Sequence, residues 1–309
     1  MARIVITEFM DERAVAQLRA AHDVLYDPKL VDDAPRLHAE AAQADAIVVR
    51  NRTQVRGELL AALARCRVVG RLGVGLDNID VAACEARGMR VIPATGANAL
   101  AVAEYVLGTA MLLLRGAYLS TALVAAGKWP RAELSSGREI AGSCLGLVGF
   151  GGIGRLTAGL AQGLGMSVLA HDPMIDTDST VWAQTGVRSA SLEQLLEASD
   201  VISLHVPLTP ATANLLSADR IARMKPGAIL INTSRGGIAD ESAVAAALHA
   251  GALGGAAFDV FEPEPLAAGN VWEGCPRVIL TPHVAGVTAQ SNVRVSTMIA
   301  AAVAQALKA

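Results

Sequence analysis

Runs that are apolar at nearly every position recur along the chain at 3–7, 24–26, 46–50, 68–72 and 90–92, with alanine- and leucine-rich stretches at 12–20, 35–42, 57–64 and 79–86 between them. A strand that is apolar on almost every residue is covered on both faces, and single helices between such strands are the connections of a parallel sheet. The alternation then stops. A long helix is predicted over 99–115 and a second helical stretch reaches residue 126, before Gly127-Lys128-Trp129-Pro130 breaks the pattern. Strand-like runs restart at 145–150, 167–171, 201–206, 228–233, 256–260 and 278–280, and a last helix is predicted over 291–307. The restart marks a second sheet, so the pattern predicts an α/β protein with two parallel-sheet units.

Composition narrows this picture. A length of 309 residues suits two domains, at roughly 150 residues each. Apolar residues at 52% against 18% charged give enough material for two cores and exclude a disordered chain. A net charge of −3 leaves no basic field for nucleic acid or an anionic membrane, and 3% aromatics argue against base-stacking surfaces. Cys66, Cys84, Cys144 and Cys275 are scattered without metal-ligand spacing, which reads as free thiols in a reducing compartment and no metal site. The N-terminus meets charge too early for a signal peptide, and the apolar run 105–114 is flanked by Glu104 and Arg115. It is about half a membrane span. A soluble, cytoplasmic protein is expected.

The turn Gly149-Phe150-Gly151-Gly152-Ile153-Gly154 matches G-x-G-x-x-G. In a chain with 29 glycines that match is weak alone, but this one follows an apolar run and opens a helical stretch. Gly149 would permit the tight turn, Gly151 the approach of backbone to a pyrophosphate, and Gly154 the packing of helix on strand. Asp172 stands eighteen residues after Gly154, at the end of the next strand-like run. An acid there suits a ribose 2′-hydroxyl and repels a 2′-phosphate, favouring NAD over NADP. S-adenosylmethionine enzymes use a related turn, and a glycine-rich turn beside a surface Asp is the bland alternative. Gly73-Val74-Gly75 is a second such turn, but Asn78 stands in place of a third glycine. It is a better donor of backbone N–H groups to a small anion than a nucleotide site, unless it is an ordinary turn.

Of six histidines, His22, His38 and His249 lie in or beside alanine-rich helical stretches and read as structural, while His171 adjoins Asp172. His205 and His283 both follow strand-like runs, where open α/β sheets place their ligands, and the residues alone do not choose between them. Arg235 also follows such a run, in Asn232-Thr233-Ser234-Arg235-Gly236-Gly237. A guanidinium there could grip a carboxylate with two parallel hydrogen bonds, or lie on the surface. Asp259, Glu262 and Glu264 read by default as solvated acids in a proline-stiffened loop.

In this order the residues resemble the D-isomer-specific 2-hydroxyacid dehydrogenase family, with its phosphoglycerate and sulfolactate dehydrogenase-like members. The resemblance covers essentially the whole chain. It runs from Gly73-Val74-Gly75 with Asp77-Asn78, through Asn98 and Val102-Ala103-Glu104, to the glycine turn and Asp172. It continues through His205-Val206-Pro207-Leu208-Thr209, residues 232–237, Asp259-Val260-Phe261 with Glu264-Pro265, and Pro282-His283. The resemblance implies two doubly wound domains, with a Rossmann NAD domain (99–285) inserted in a flavodoxin-like substrate domain (1–98 plus 286–309). It also implies hydride transfer between NAD and a 2-hydroxy acid, with His283 as acid/base, Glu264 as its partner and Arg235 as anchor of the carboxylate and carbonyl. Val74, Gly75 and Asn98 would contact substrate. Gly149, Gly151, Gly152, Ile153, Gly154, Asp172, His205, Pro207, Thr212, Thr233, Ser234, Asp259 and Gly286 would contact NAD. Gly152 replaces a basic or polar side chain that many relatives carry in the turn, so one phosphate contact would be missing.

A homodimer is expected around 98–126, because Val102, Val106, Leu107, Met111, Leu112, Leu113 and Leu114 exceed what one sheet face needs. Arg50 and Arg52, with Asn51 and Thr53, follow a strand-like run and suit a second anionic group on the substrate, a phosphate or sulfonate. The alternative is that they are surface arginines paired with acids such as Glu58, and that the substrates are simple acids such as glycerate, lactate or glyoxylate. A rival class is an NAD-sensing corepressor-like binding protein, which shares this fold and trio. Formate dehydrogenases belong to the same broad family but lack the acid-assisted histidine.

Overall fold

The core strands of the first unit are apolar without interruption: Ile4, Val5 and Ile6, Ala46 to Val49, and Val68 and Val69 are all essentially inaccessible. The computed structural model describes residues 1–308. Its contacts divide the chain into two units, one of Met1–Asn98 with the C-terminal segment from Val287, the other of Ala99–Gly286. Gly286, expected at the start of the returning segment, lies with the second unit.

In the first unit β1 (Arg3–Ile6), β2 (Asp23–Tyr26), β3 (Ala46–Val49), β4 (Val68–Arg71) and β5 (Arg90–Pro93) form one sheet in the order β2-β1-β3-β4-β5. Every pairing is parallel. This is the flavodoxin-like order, whose direction reverses between β1 and β3 and opens a ligand site beyond their C-terminal ends. The C-terminal helix Ala289–Ala306 completes one face of this sheet through Val295, Ile299 and Val303. Gly70 makes room for it: a Cβ there would lie 2.8 Å from Val303 and 2.9 Å from Ile299.

The second unit contains β6 (Cys144–Val148), β7 (Ser167–His171), β8 (Arg188–Ser189), β9 (Val201–Leu204), β10 (Ile229–Asn232), β11 (Gly255–Phe258) and β12 (Val278–Leu280). Their order is β12-β11-β10-β9-β6-β7-β8, again all parallel. This is the Rossmann winding, with its switch point between β6 and β9. The two-residue edge strand β8 and the short helix Thr180–Thr185 were not legible in the apolar pattern. Helix Ala99–Arg115 buries Val102, Val106, Leu107, Leu113 and Leu114 in the unit's own core, so its apolar excess is not a free face. Among the described residues no single helix is long and apolar enough to cross a membrane, and no three His, Cys, Asp or Glu side chains form a metal-binding group. The four cysteines are free thiols, and burial pushes Cys66 up to about 11.

Candidate active site

The glycine turn sits beyond β6, and Gly149 adopts φ +97° there. A Cβ on Gly149 would lie 2.6 Å from the His205 carbonyl oxygen, and one on Gly154 would lie 2.4 Å from the Gly149 carbonyl oxygen. Both positions therefore require glycine. Gly151 caps helix Gly152–Gly163 and faces open space, leaving the N–H groups of the first helical turn accessible in front of Gly152 and Ile153. Asp172, half-buried just past β7, closes the turn from the side. Its Oδ2 accepts the Phe150 N–H at 2.8 Å and its Oδ1 the Met174 N–H at 3.0 Å. The hydroxyl of Thr233 is buried without a hydrogen-bond partner. A helix N-terminus, a carboxylate at the end of the adjacent strand and an orphaned hydroxyl are a set that NAD fits.

Past β9, His205 has Nε2 3.0 Å from Ser203 Oγ, and burial of its ring pushes it down to about 4. It stays neutral near pH 7. Pro207 and Thr212 belong to the next loop, where the Thr212 hydroxyl donates to the Pro207 carbonyl at 2.5 Å. Past β10, fully buried Asn232 braces the turn that carries Arg235: its Oδ1 accepts the Ser234 N–H at 3.0 Å and its Nδ2 donates to the Arg235 carbonyl at 2.8 Å. Ser234 Oγ donates to the Leu204 carbonyl at 2.6 Å, tying this turn to β9. A Cβ on Gly236 would meet the Phe261 backbone at 2.2 Å. The Arg235 turn is thus laid directly against the loop that follows β11.

That loop carries Glu264. Its Oε1 accepts the Phe261 N–H at 3.0 Å, and its Oε2 lies 2.8 Å from Nδ1 of His283. A carboxylate only accepts, so Nδ1 carries the proton and Nε2 is the ring's reactive nitrogen. His283 is held at φ +56°, a conformation that costs a non-glycine residue about 1–2 kcal/mol. Its N–H donates to the Asp259 and Thr281 carbonyls. The Asp259 carboxylate, 1% exposed, then accepts from Thr281 Oγ1 at 2.6 Å, Val284 N at 2.8 Å and Ala285 N at 2.7 Å. Tyr105 reaches the same network through Thr281 at 2.6 Å. Arg235, Glu264 and His283 therefore stand on the loops after three neighbouring strands, β10, β11 and β12. Gly286 ends the last of these loops.

In the first unit, Val74 and Gly75 follow β4, and neither N–H donates to another group of the chain among the described residues. Asn98 carries a buried Oδ1 without a partner. Past β3 the two arginines differ. Arg52 is exposed and paired with Asp32, not with Glu58. Arg50 is half-buried, donates from Nη2 to Asn292 Oδ1 at 2.9 Å, lies over the Phe9 ring at 5.8 Å and has no carboxylate ion-pair partner among the described residues. The sequence pattern missed Glu8, Asn78 and Asn232 as organisers of these loops: Glu8 and Asn78 act on backbone groups 25 to 45 residues away, and Asn232 acts within its own turn, where an amide side chain carries no apolar signal.

Fold and site together define an NAD-binding dehydrogenase of the doubly wound α/β class. A family model for the D-isomer specific 2-hydroxyacid dehydrogenase NAD-binding domain matches residues 107–285. The chain is 54% identical over 296 residues to (S)-sulfolactate dehydrogenase of Chromohalobacter salexigens, covering 96% of this chain and 95% of that one. It is 37% identical over 305 residues to D-3-phosphoglycerate dehydrogenase of Synechocystis sp.. That match covers 97% of this chain but spans only 53% of the relative. The structure of NAD-dependent formate dehydrogenase from Staphylococcus aureus in complex with NAD superimposes with a TM-score of 0.82 at 25% identity, covering 99% and 95% of the two chains. The chain belongs to the D-isomer specific 2-hydroxyacid dehydrogenases, NAD-dependent oxidoreductases of the CH–OH group.

Proposed function

We propose that the substrate is a 2-hydroxy acid with a second anionic group, of the sulfolactate type, interconverted with its 2-keto acid. The observation that carries this reading is Arg50, a half-buried guanidinium just past β3 with no carboxylate ion-pair partner among the described residues, its burial offset only by the nearby charge of Glu8. A partly buried cation without a directly paired anion is costly, and a sulfonate or phosphate in contact with it would supply that pair. The 54% identity to a sulfolactate dehydrogenase supports the sulfonate over the phosphate. Arg52, already occupied by Asp32, has the lesser part.

Bound NAD supplies the hydride acceptor, and NADH the donor. His283 Nε2 takes the hydroxyl proton during oxidation and returns it during reduction. Glu264 fixes the tautomer and favours the imidazolium that forms. Arg235 grips the carboxylate and polarises the carbonyl oxygen. The N–H groups of Val74 and Gly75, with Asn98, are the first unit's candidates for contact with substrate. Asp172 selects NAD over NADP, since no Arg or Lys follows it in 173–180 to receive a 2′-phosphate. A homodimer is part of the same reading. Its support is the exposed apolar set Tyr118, Leu119, Leu123, Val124 and Trp129, with Leu100 and Met111 on the preceding helix.

The test compares kcat/KM for sulfolactate, 3-phosphoglycerate, glycerate and lactate in wild type, Arg50→Ala and Arg52→Ala. A charge-assisted hydrogen bond contributes about 1.5–3 kcal/mol. Arg50→Ala should therefore lower the preference for the doubly anionic acid at least about tenfold, and Arg52→Ala should lower it less. Preference of the wild type for glycerate or lactate would sink this reading in favour of the simple 2-hydroxy acids.

A further inference from the structure

Glu8 lies just past the C-terminal end of β1, next to the point where the strand order of the first sheet reverses. It is 4% exposed, and among the described residues its carboxylate makes no ion pair, although its charge is felt by Arg50 and Arg52. Three backbone N–H groups converge on it from one loop. Oε1 accepts from Arg50 at 2.9 Å and from Thr53 at 3.0 Å, and Oε2 accepts from Arg52 at 3.1 Å. Converging backbone N–H groups at a strand end form a concavity for anions. Here the chain fills that concavity with its own carboxylate.

Two further groups lock the arrangement. Asn78 Nδ2 donates to the carbonyls of Thr53 at 2.7 Å and Arg50 at 3.2 Å. The hydroxyls of Thr7 and Thr53 are 2.8 Å apart. The residue after Glu8 is Phe9, whose ring lies under the Arg50 guanidinium, while Asn292 takes Nη2. Glu8 and its neighbour therefore hold Arg50 from both ends, backbone and guanidinium. The loop amides are spent on Glu8, so recognition of an incoming anion falls to the aimed side chain. Burial works against the Arg50 charge, and the nearby Glu8 charge offsets it.

We propose that Glu8 is a specificity-positioning residue, an internal anion that occupies the amides of the 50–53 loop and thereby aims Arg50 at the distal anion of the substrate. This rests on the assignment of Arg50 above. Glutamine at position 8 would keep one acceptor oxygen and turn its N–H₂ donor toward at least one of the three N–H donors, loosening the loop without touching the atoms that react. Aspartate would keep the charge one methylene short.

The experiment measures steady-state kinetics of the full-length enzyme with sulfolactate and with lactate, for wild type, Arg50→Ala, Glu8→Gln and Glu8→Asp, after thermal melts have shown which variants fold. The expected result for Glu8→Gln is a fall of about tenfold or more in the sulfolactate-to-lactate ratio of kcat/KM, carried by KM for sulfolactate, with Glu8→Asp intermediate. In wild type, hydrogen exchange should find the Arg50, Arg52 and Thr53 amides protected although they lie in a loop. If Arg50→Ala collapses the ratio and a folded Glu8 variant keeps it, the Glu8 inference fails while the substrate reading stands. If wild type shows no preference, or Arg50→Ala preserves it, the substrate reading itself has failed. Equal loss with both substrates in kcat would make Glu8 a general structural residue and overturn the proposal. Fast exchange of the three amides would overturn it without any variant.

Discussion

His283 and His205 stand at equivalent places, each just beyond a strand of the same sheet, yet their surroundings give them different chemistry. His283 is exposed at the ring and paired at Nδ1 with Glu264. Its Nε2 is left as the acceptor, the arrangement that the proposed proton transfer requires. Loss of general acid/base catalysis costs roughly 10²–10⁴ in rate, so His283→Ala should lower kcat by that order while NADH titration still gives near-native affinity. Near-native turnover would remove His283 from the mechanism. His205, pushed down to about 4 by burial, behaves in the opposite way. Above its unfolded value of about 6.5 both states are neutral and it contributes nothing to pH dependence. As pH falls from about 6.5 to about 4, the unfolded chain binds a proton that the native state refuses, and stability declines by at most about 3 kcal/mol. In His205→Asn that decline should be absent. Denaturant midpoints that fall with identical slope in both proteins between pH 6.5 and 4 would refute it.

The element that matters most for cofactor choice is the β6 turn together with the end of β7. Asp172 accepts the Phe150 N–H that shapes the glycine turn, and in the proposed function the same carboxylate meets the ribose. Asp172→Ala should thus weaken NADH binding about tenfold or more, through loss of charge-assisted hydrogen bonds, and narrow the gap to NADPH. Asp172→Asn keeps an acceptor for Phe150, so it should retain more NADH affinity while still narrowing the gap. Wild-type preference for NADPH would contradict this assignment. Loop residues also explain where the apolar pattern overran the strands. Phe150 and Val260 are fully buried, yet β6 ends at Val148 and β11 at Phe258. Apolar character reports burial, whereas a strand ends where backbone pairing ends, and functional loops begin in that difference.

For the whole molecule the exposed apolar side chains of 117–129 are the feature that calls for a partner. Trp129 is 78% and Tyr118 65% exposed, unusual for large aromatic side chains. Light scattering at micromolar concentration should give a mass twice the 31.8 kDa of one chain. Trp129→Glu combined with Tyr118→Glu should shift it toward the single-chain value. A wild-type mass of one chain would end the dimer proposal.

The alternation of apolar runs, the glycine turn and the order of the polar motifs are local properties, written in the period and spacing of the chain. They determined by themselves the two parallel-sheet units and the nucleotide turn, and left His205 and His283 as equal candidates; Arg235, Glu264 and His283 were singled out together only by the family resemblance. Which histidine receives a carboxylate was decided by the sheet, because Glu264 and His283 meet across 19 residues only when β11 and β12 are neighbours. Likewise Arg52 finds Asp32 and Arg50 finds Asn292, 20 and 242 residues away. Glu8 reaches a loop 42 to 45 residues on because β1 and β3 lie side by side. Polar contacts at such separations depend on how strands and helices are brought side by side, and no periodicity along the chain encodes that arrangement.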